Sequence, residues 1–196
     1  MSDIRVNADS IDRYGDVATE CFGGVQGALQ VLVDAIAHVN YQGENAEAFK
    51  RRSGELSVKF ADGIHTNMVG MTNSVNAATT AVSNSLGGRN VSVTVAAKSV
   101  TPTEGQKADA GTVQVNLPAL EALQEVVNSQ FKAVTDQLGT HQTTLGSTDW
   151  TGMSKDRAVG EVGKLTTNAL EQCTEANQQI NAYITTQVSN VRTSDV

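Results

Sequence analysis

The sequence predicts an all-α protein in which two antiparallel helical hairpins pack as one four-helix bundle. Three observations carry this. Four long stretches place apolar residues three or four apart, the spacing of one helix face. An aromatic residue, one spacer and a glycine stand midway in each half, as Tyr41-Gln42-Gly43 and Trp150-Thr151-Gly152. The two halves also align at a single offset, since 150 − 41 and 152 − 43 both equal 109.

The elements follow in order. Ile4 and Val6 alternate with polar residues as a short extended lead-in. Asn7, Asp9 and Ser10 are candidate acceptors for the free amides of a helix start. Ile11, Ala18, Phe22, Val25, Leu29, Leu32 and Ile36 then mark a first helix. Gly15, Gly23, Gly24 and Gly27 lie inside it, and read either as close approach by a neighbouring helix or as local weakness. After the Tyr41 turn, Phe49, Leu56, Phe60, Ile64, Met68, Met71, Val75 and Val82 mark a second helix, which Gly87-Gly88 stops.

Residues 87–116 change character. Val91, Val93 and Val95 alternate with polar residues, Pro102 interrupts, and Val113 and Val115 alternate again. The segment reads as a linker that forms a small two-stranded ribbon or stays a flexible tether. Asn116 is the candidate cap of a third helix and Pro118 suits its first turn. Leu120, Leu123, Val127, Phe131, Val134, Leu138 and Leu145 mark its face. Val159, Leu165, Ala169, Cys173, Ile180 and Ile184 mark a fourth helix beyond the Trp150 turn.

The offset of 109 carries Val6 to Val115, Asn7 to Asn116, Phe22 to Phe131, Leu29 to Leu138, Leu56 to Leu165 and Val75 to Ile184, with no gap. Such matching reads as a tandem duplication of one hairpin. The units are then 1–86, the linker 87–116, and 117–196. A lone hairpin leaves each helix with an uncovered flank, and a second hairpin laid against it covers both. A linker of this length reaches up to roughly 90–100 Å, enough to run the length of a bundle.

Composition narrows the function. A net charge of −7 and a pI near 4.9 argue against nucleic acid as a partner. The short basic run Lys50-Arg51-Arg52 reads as a solvated helix face. No apolar run is long enough to span a membrane, and the N-terminus lacks the apolar segment of a Sec signal. Synthesis in the cytoplasm is therefore expected, with any export following a route that reads another signal. Cys21 and Cys173 are too few and too far apart for a metal site or a disulfide framework; both fall near mid-height of the bundle, where they either face each other or stand as two buried free thiols. His38, His65 and His141 lack zinc-ligand spacing, and no nucleophile or nucleotide motif occurs. No enzymatic activity and no cofactor are expected.

A helix, Trp-x-Gly and a second helix, in a unit of about a hundred residues, resembles the WXG superfamily of type VII secretion substrates, related to the early secreted antigenic target of mycobacteria. The resemblance covers both halves outside the linker. Trp150 and Gly152 match the motif, and Tyr41 and Gly43 match it with Tyr in place of Trp. The resemblance implies hairpins that pair into four-helix bundles, here within one chain as a covalent pseudo-dimer. It implies export by the type VII route, recognition by the secretion ATPase, and another WXG-type protein as a further partner.

The family's second export element is Tyr-x-x-x-Asp/Glu after the last helix turns. Its nearest counterpart is Tyr183 with Gln187 in the acidic place, followed by Asp195 near the end. The turn motifs and the segment Tyr183–Val196 are therefore the expected recognition surfaces. The alternative is a non-exported structural or assembly module that oligomerises through the bundle. A self-paired monomer and a higher homo-oligomer both fit the sequence.

Overall fold

The computed structural model describes residues 4–87, 90–96, 100–101 and 111–194. Among these residues four helices dominate: α1 (Ala8–His38), α2 (Glu44–Leu86), α3 (Leu117–Gly146) and α4 (Met153–Ser194). Four two-residue strands accompany them: β1 (Arg5–Val6), β2 (Tyr41–Gln42), β3 (Gln114–Val115) and β4 (Trp150–Thr151).

The helices begin where local chemistry starts them. The Asn7 side chain accepts a hydrogen bond from the amide of Ser10, and that of Asn116 accepts one from Ala119. Each satisfies one amide that a helix start leaves free. Pro118 sits in the first turn of α3, where its missing N–H costs nothing. Gly87 ends α2 in the left-handed region at φ 75°, its amide donating to the Ser83 carbonyl.

α1 lies antiparallel against α3, and α2 against α4. Each hairpin also packs internally, α3 on α4 more closely than α1 on α2. One core fills the centre, with Ile11, Phe22, Leu32, Ile64, Met68, Leu120, Leu138 and Ile184 nearly or fully buried. Burying one such side chain contributes about 1.5–3 kcal/mol. Phe60 of α2 meets Phe131 of α3 with ring centroids 5.2 Å apart, tying the two hairpins across the middle. Leu56 and Leu165 are only partly buried, at the edge of the core rather than within it.

The strands join the hairpins rather than closing either one. β1 pairs antiparallel with β4, Val6 opposite Trp150. β2 pairs antiparallel with β3, Tyr41 opposite Val115. Thus each aromatic turn is bonded to the chain that leads into the other hairpin.

The linker differs from both expectations. No ribbon forms within its described residues: Val91, Val93 and Val95 carry no strand partner, and β3 pairs outside the linker with β2. Nor is the described part a loose tether. It runs along α1 in the direction of α1, with Val91 and Val100 buried. The Thr94 amide donates to Thr19 Oγ1, Gln26 donates to the Ala96 carbonyl, and the Thr101 amide donates to Gln30 Oε1. The Val91 amide donates to Thr79 of α2. Side chains of two helices thus satisfy four backbone groups of this segment, taking the place of a partner strand there. Pro102 lies outside the described residues.

This bed also explains why α3 and α4 lie closer. Gly15 and Thr19 of α1 face the linker, whereas the residues 109 positions later, Gln124 and Asn128, bond Thr185 and Asn181 of α4 directly. Of the four glycines in α1, Gly15 meets the linker and Gly24 meets Gln137 of α3. Gly23 and Gly27 face open space, so close approach accounts for only half of them.

Candidate functional site

Of the residues singled out in the sequence, Tyr41, Gly43, Tyr183 and Gln187 lie towards one end of the bundle, and Trp150 and Gly152 lie at the other. At the Tyr41 end α1 stops, β2 and Gly43 turn the chain, α3 begins and α4 finishes. Gly43 has φ 123° and ψ 172°, a conformation open essentially to glycine alone. Its torsion swings Tyr41 into the core, where the ring is 7% exposed and 6.3 Å from that of Phe49. The Asn116 amide donates to the Asn40 carbonyl and fixes the start of α3 against the turn.

The Tyr41 hydroxyl donates a 2.9 Å hydrogen bond to Gln187 Oε1 of α4. Burial pushes the Tyr41 phenol above its usual range, so it stays protonated and a donor. Turn motif and candidate export segment are thereby joined, although 146 residues separate them in the chain. Tyr183, one helical turn before Gln187, is 37% exposed. Asp195 lies outside the described residues. Arg192 pairs with Glu121 and holds the end of α4 to the second turn of α3.

A cleft of about 530 Å³ opens here, lined by Tyr41, Gln42, Gly43, Glu44, Asn45, Ala46, Val113, Val115, Leu117, Asn190, Val191 and Ser194. Its apolar floor and amide-rich rim suit a protein segment. Asn190, Val191 and Ser194 belong to the expected segment Tyr183–Val196, whereas Val113 was not among the expected site residues. The offset supplied a signal for Val113, because it corresponds to Ile4, and each lies over the glycine of a turn.

The opposite end is built on the same plan with different chemistry. Gly152 has φ 111° and Trp150 is 1% exposed. The Asn7 amide donates to the Asp149 carbonyl, and Arg5 forms a 2.8 Å ion pair with the Asp149 carboxylate. Lys155 donates to the carbonyls of Gly146 and Thr148, satisfying the end of α3. Trp150 Nε1 is buried without a hydrogen-bond partner among the described residues. The residue 109 positions before Gln187 is Ala78, which carries no acceptor side chain. The cleft at this end is about 110 Å³, lined by Ile4, Thr151, Gly152, Met153 and Ser154.

The other reactive groups lie inside. Cys21 and Cys173 are free and buried, and burial pushes the Cys173 thiol up to about 12. Tyr14 and His141 hydrogen-bond in the core, each 1% exposed and closed to a substrate. Among the described residues, no group of three or more His, Cys, Asp or Glu is placed to hold a metal ion. No helix of the described residues is long and apolar enough to cross a membrane. Compared with family models, with curated proteins and with solved structures, the chain matches none.

Proposed function

We propose that this chain is a non-enzymatic substrate of a type VII secretion system, a tandem WXG-type protein that acts by binding other proteins. It is made in the cytoplasm and recognised by the secretion ATPase at the Tyr41 end. The observation that carries the reading is the Tyr41–Gln187 hydrogen bond, which places the turn motif and the end of α4 on one surface beside a 530 Å³ cleft. The tandem origin is supported by cross-paired turns at the 109-residue offset: Val6 faces Trp150, and Val115 faces Tyr41. The exposed side chain of Val113, 82% accessible, offers apolar surface for a partner.

The test is export in the native host. The protein is expected in culture medium and absent from it when the secretion ATPase is deleted. Val113→Glu, at the Tyr41 end, is expected to lower export at least about tenfold by placing charge on an apolar contact. Ile4→Glu, at the Trp150 end, is expected to leave export unchanged. Retention of the unaltered protein in the cytosol overturns the proposal, and a defined large oligomer would then favour an assembly module.

A further inference from the structure

His141 sits where a charged imidazole has no support. It is packed between α3 and α1, with Nε2 2.9 Å from the Tyr14 hydroxyl and the Phe22 ring centroid 4.6 Å from its own. Its Nδ1 is buried and has no partner among the described residues. A neutral imidazole satisfies the Tyr14 bond in either tautomer. An imidazolium has two donors, of which Tyr14 accepts one and nothing described accepts the other.

The surroundings do not compensate. From α1, Tyr14 and the Cys21 thiol are neutral in acid, while Asp12, Arg13, Asp16 and Glu20 lie on the exposed face. α2 has no titratable residue after His65. On α4, Lys155 is held at the end of α3, Asp156 and Arg157 are exposed, and Glu161 pairs with Lys164. On α3, Asp136 pairs with Lys132, and at the turn Asp149 pairs with Arg5. Burial alone pulls the His141 imidazole down to about 4.

The other end of the same seam lacks this weakness. The offset of 109 takes Tyr14 to Leu123 and takes His141 back to Leu32, and both leucines are buried. An apolar pair there has nothing to titrate.

We propose that the bundle is an acid-sensitive device with one weak end: protonation of His141 opens the Trp150 end, freeing β1 and the first turns of α1, while the Tyr41 end stays closed. Opening of this end needs no secretion partner: imidazolium is driven out of an apolar seam that has no acceptor for it among the described residues.

Trp150 is the single tryptophan and is buried at that end, so its emission reports the opening. Emission and amide hydrogen exchange would be followed from pH 7 to pH 4, with exchange corrected for its intrinsic pH dependence. The expected result is a red shift of Trp150 as pH falls from 6.5 towards 4, with exchange in 4–15 rising at least about tenfold more than in 40–50. His141→Leu is expected to keep Trp150 blue-shifted. Asp149→Asn is expected to retain the unaltered response, because the Arg5–Asp149 pair is exposed. A blue-shifted Trp150 at pH 4, equal loss of protection at both ends, or a His141→Leu curve matching the unaltered one would each overturn the proposal. If His141→Leu does not fold, the comparison of the two ends within the unaltered protein decides.

Discussion

The Tyr41 hydroxyl and the Gln187 carboxamide meet at 2.9 Å, and this contact fastens the first turn of the chain to its last helix. Tyr41→Phe keeps the ring and removes the bond. It is expected to cost about 0.5–1.5 kcal/mol. A double-mutant cycle with Gln187→Ala, read by urea unfolding, should return a coupling energy in that range. A coupling near zero would mean that the contact contributes nothing to holding α4 on the turn.

Gly43 and Gly152 carry φ angles of 123° and 111°. Either one changed to Ala is expected to destabilise the protein by about 1–3 kcal/mol, because a Cβ disfavours these torsions. The same change at Gly23, exposed within α1 with nothing nearby, is expected to stabilise it by about 0.5–1 kcal/mol through helix propensity. Thermal unfolding of the three variants would separate these opposite signs.

Gly15 tests the linker. A Cβ there would stand 2.5 Å from the Ser92 carbonyl oxygen, and backbone must move to admit it. Gly15→Ala is expected to speed hydrogen exchange in residues 90–96 while exchange in α3 stays slow. If residues 90–96 keep their protection, the linker is not held against α1 as described.

Stability should depend on pH through His141. Its unfolded imidazole titrates near 6.5 and the folded one near 4. Between these values the unfolded chain binds more protons, so stability falls as pH drops through that window and levels off below it. The full loss is about 3 kcal/mol. Urea unfolding at pH 7, 5.5 and 4 should show this contribution, and it should be missing from His141→Leu.

Thiol accessibility offers a further check. Cys21 and Cys173 are buried, and burial raises both thiols above their usual range. A thiol reagent at pH 8 is expected to modify neither rapidly in the folded protein and both after denaturation. Rapid labelling of folded Cys173 would contradict the packing of α4.

Periodicity by itself determined the helices. Apolar residues at helical spacing, Asn7 and Asn116 as caps, Pro118 in a first turn and Gly87 as a stop are local signals, and each acts through neighbours a few residues away. The turn residues were legible for the same reason, since a glycine after an aromatic marks a torsion the chain needs at that point. The sequence also gave the offset of 109, by comparing one half with the other.

Partners remote in the chain were decided only by tertiary structure. Val113 and Val115 alternate like a strand, yet nothing local reveals that β3 bonds the Tyr41 turn. Val91 and Val95 read equally as ribbon or tether until side chains of α1 and α2 are seen to satisfy the backbone between them. His141 and Tyr14 were polar residues without a motif, and only packing made them a buried pair. A local signal fixes backbone torsion and the buried face. Which face meets which depends on free energies summed over the whole folded chain, and those become defined only when both partners are in place.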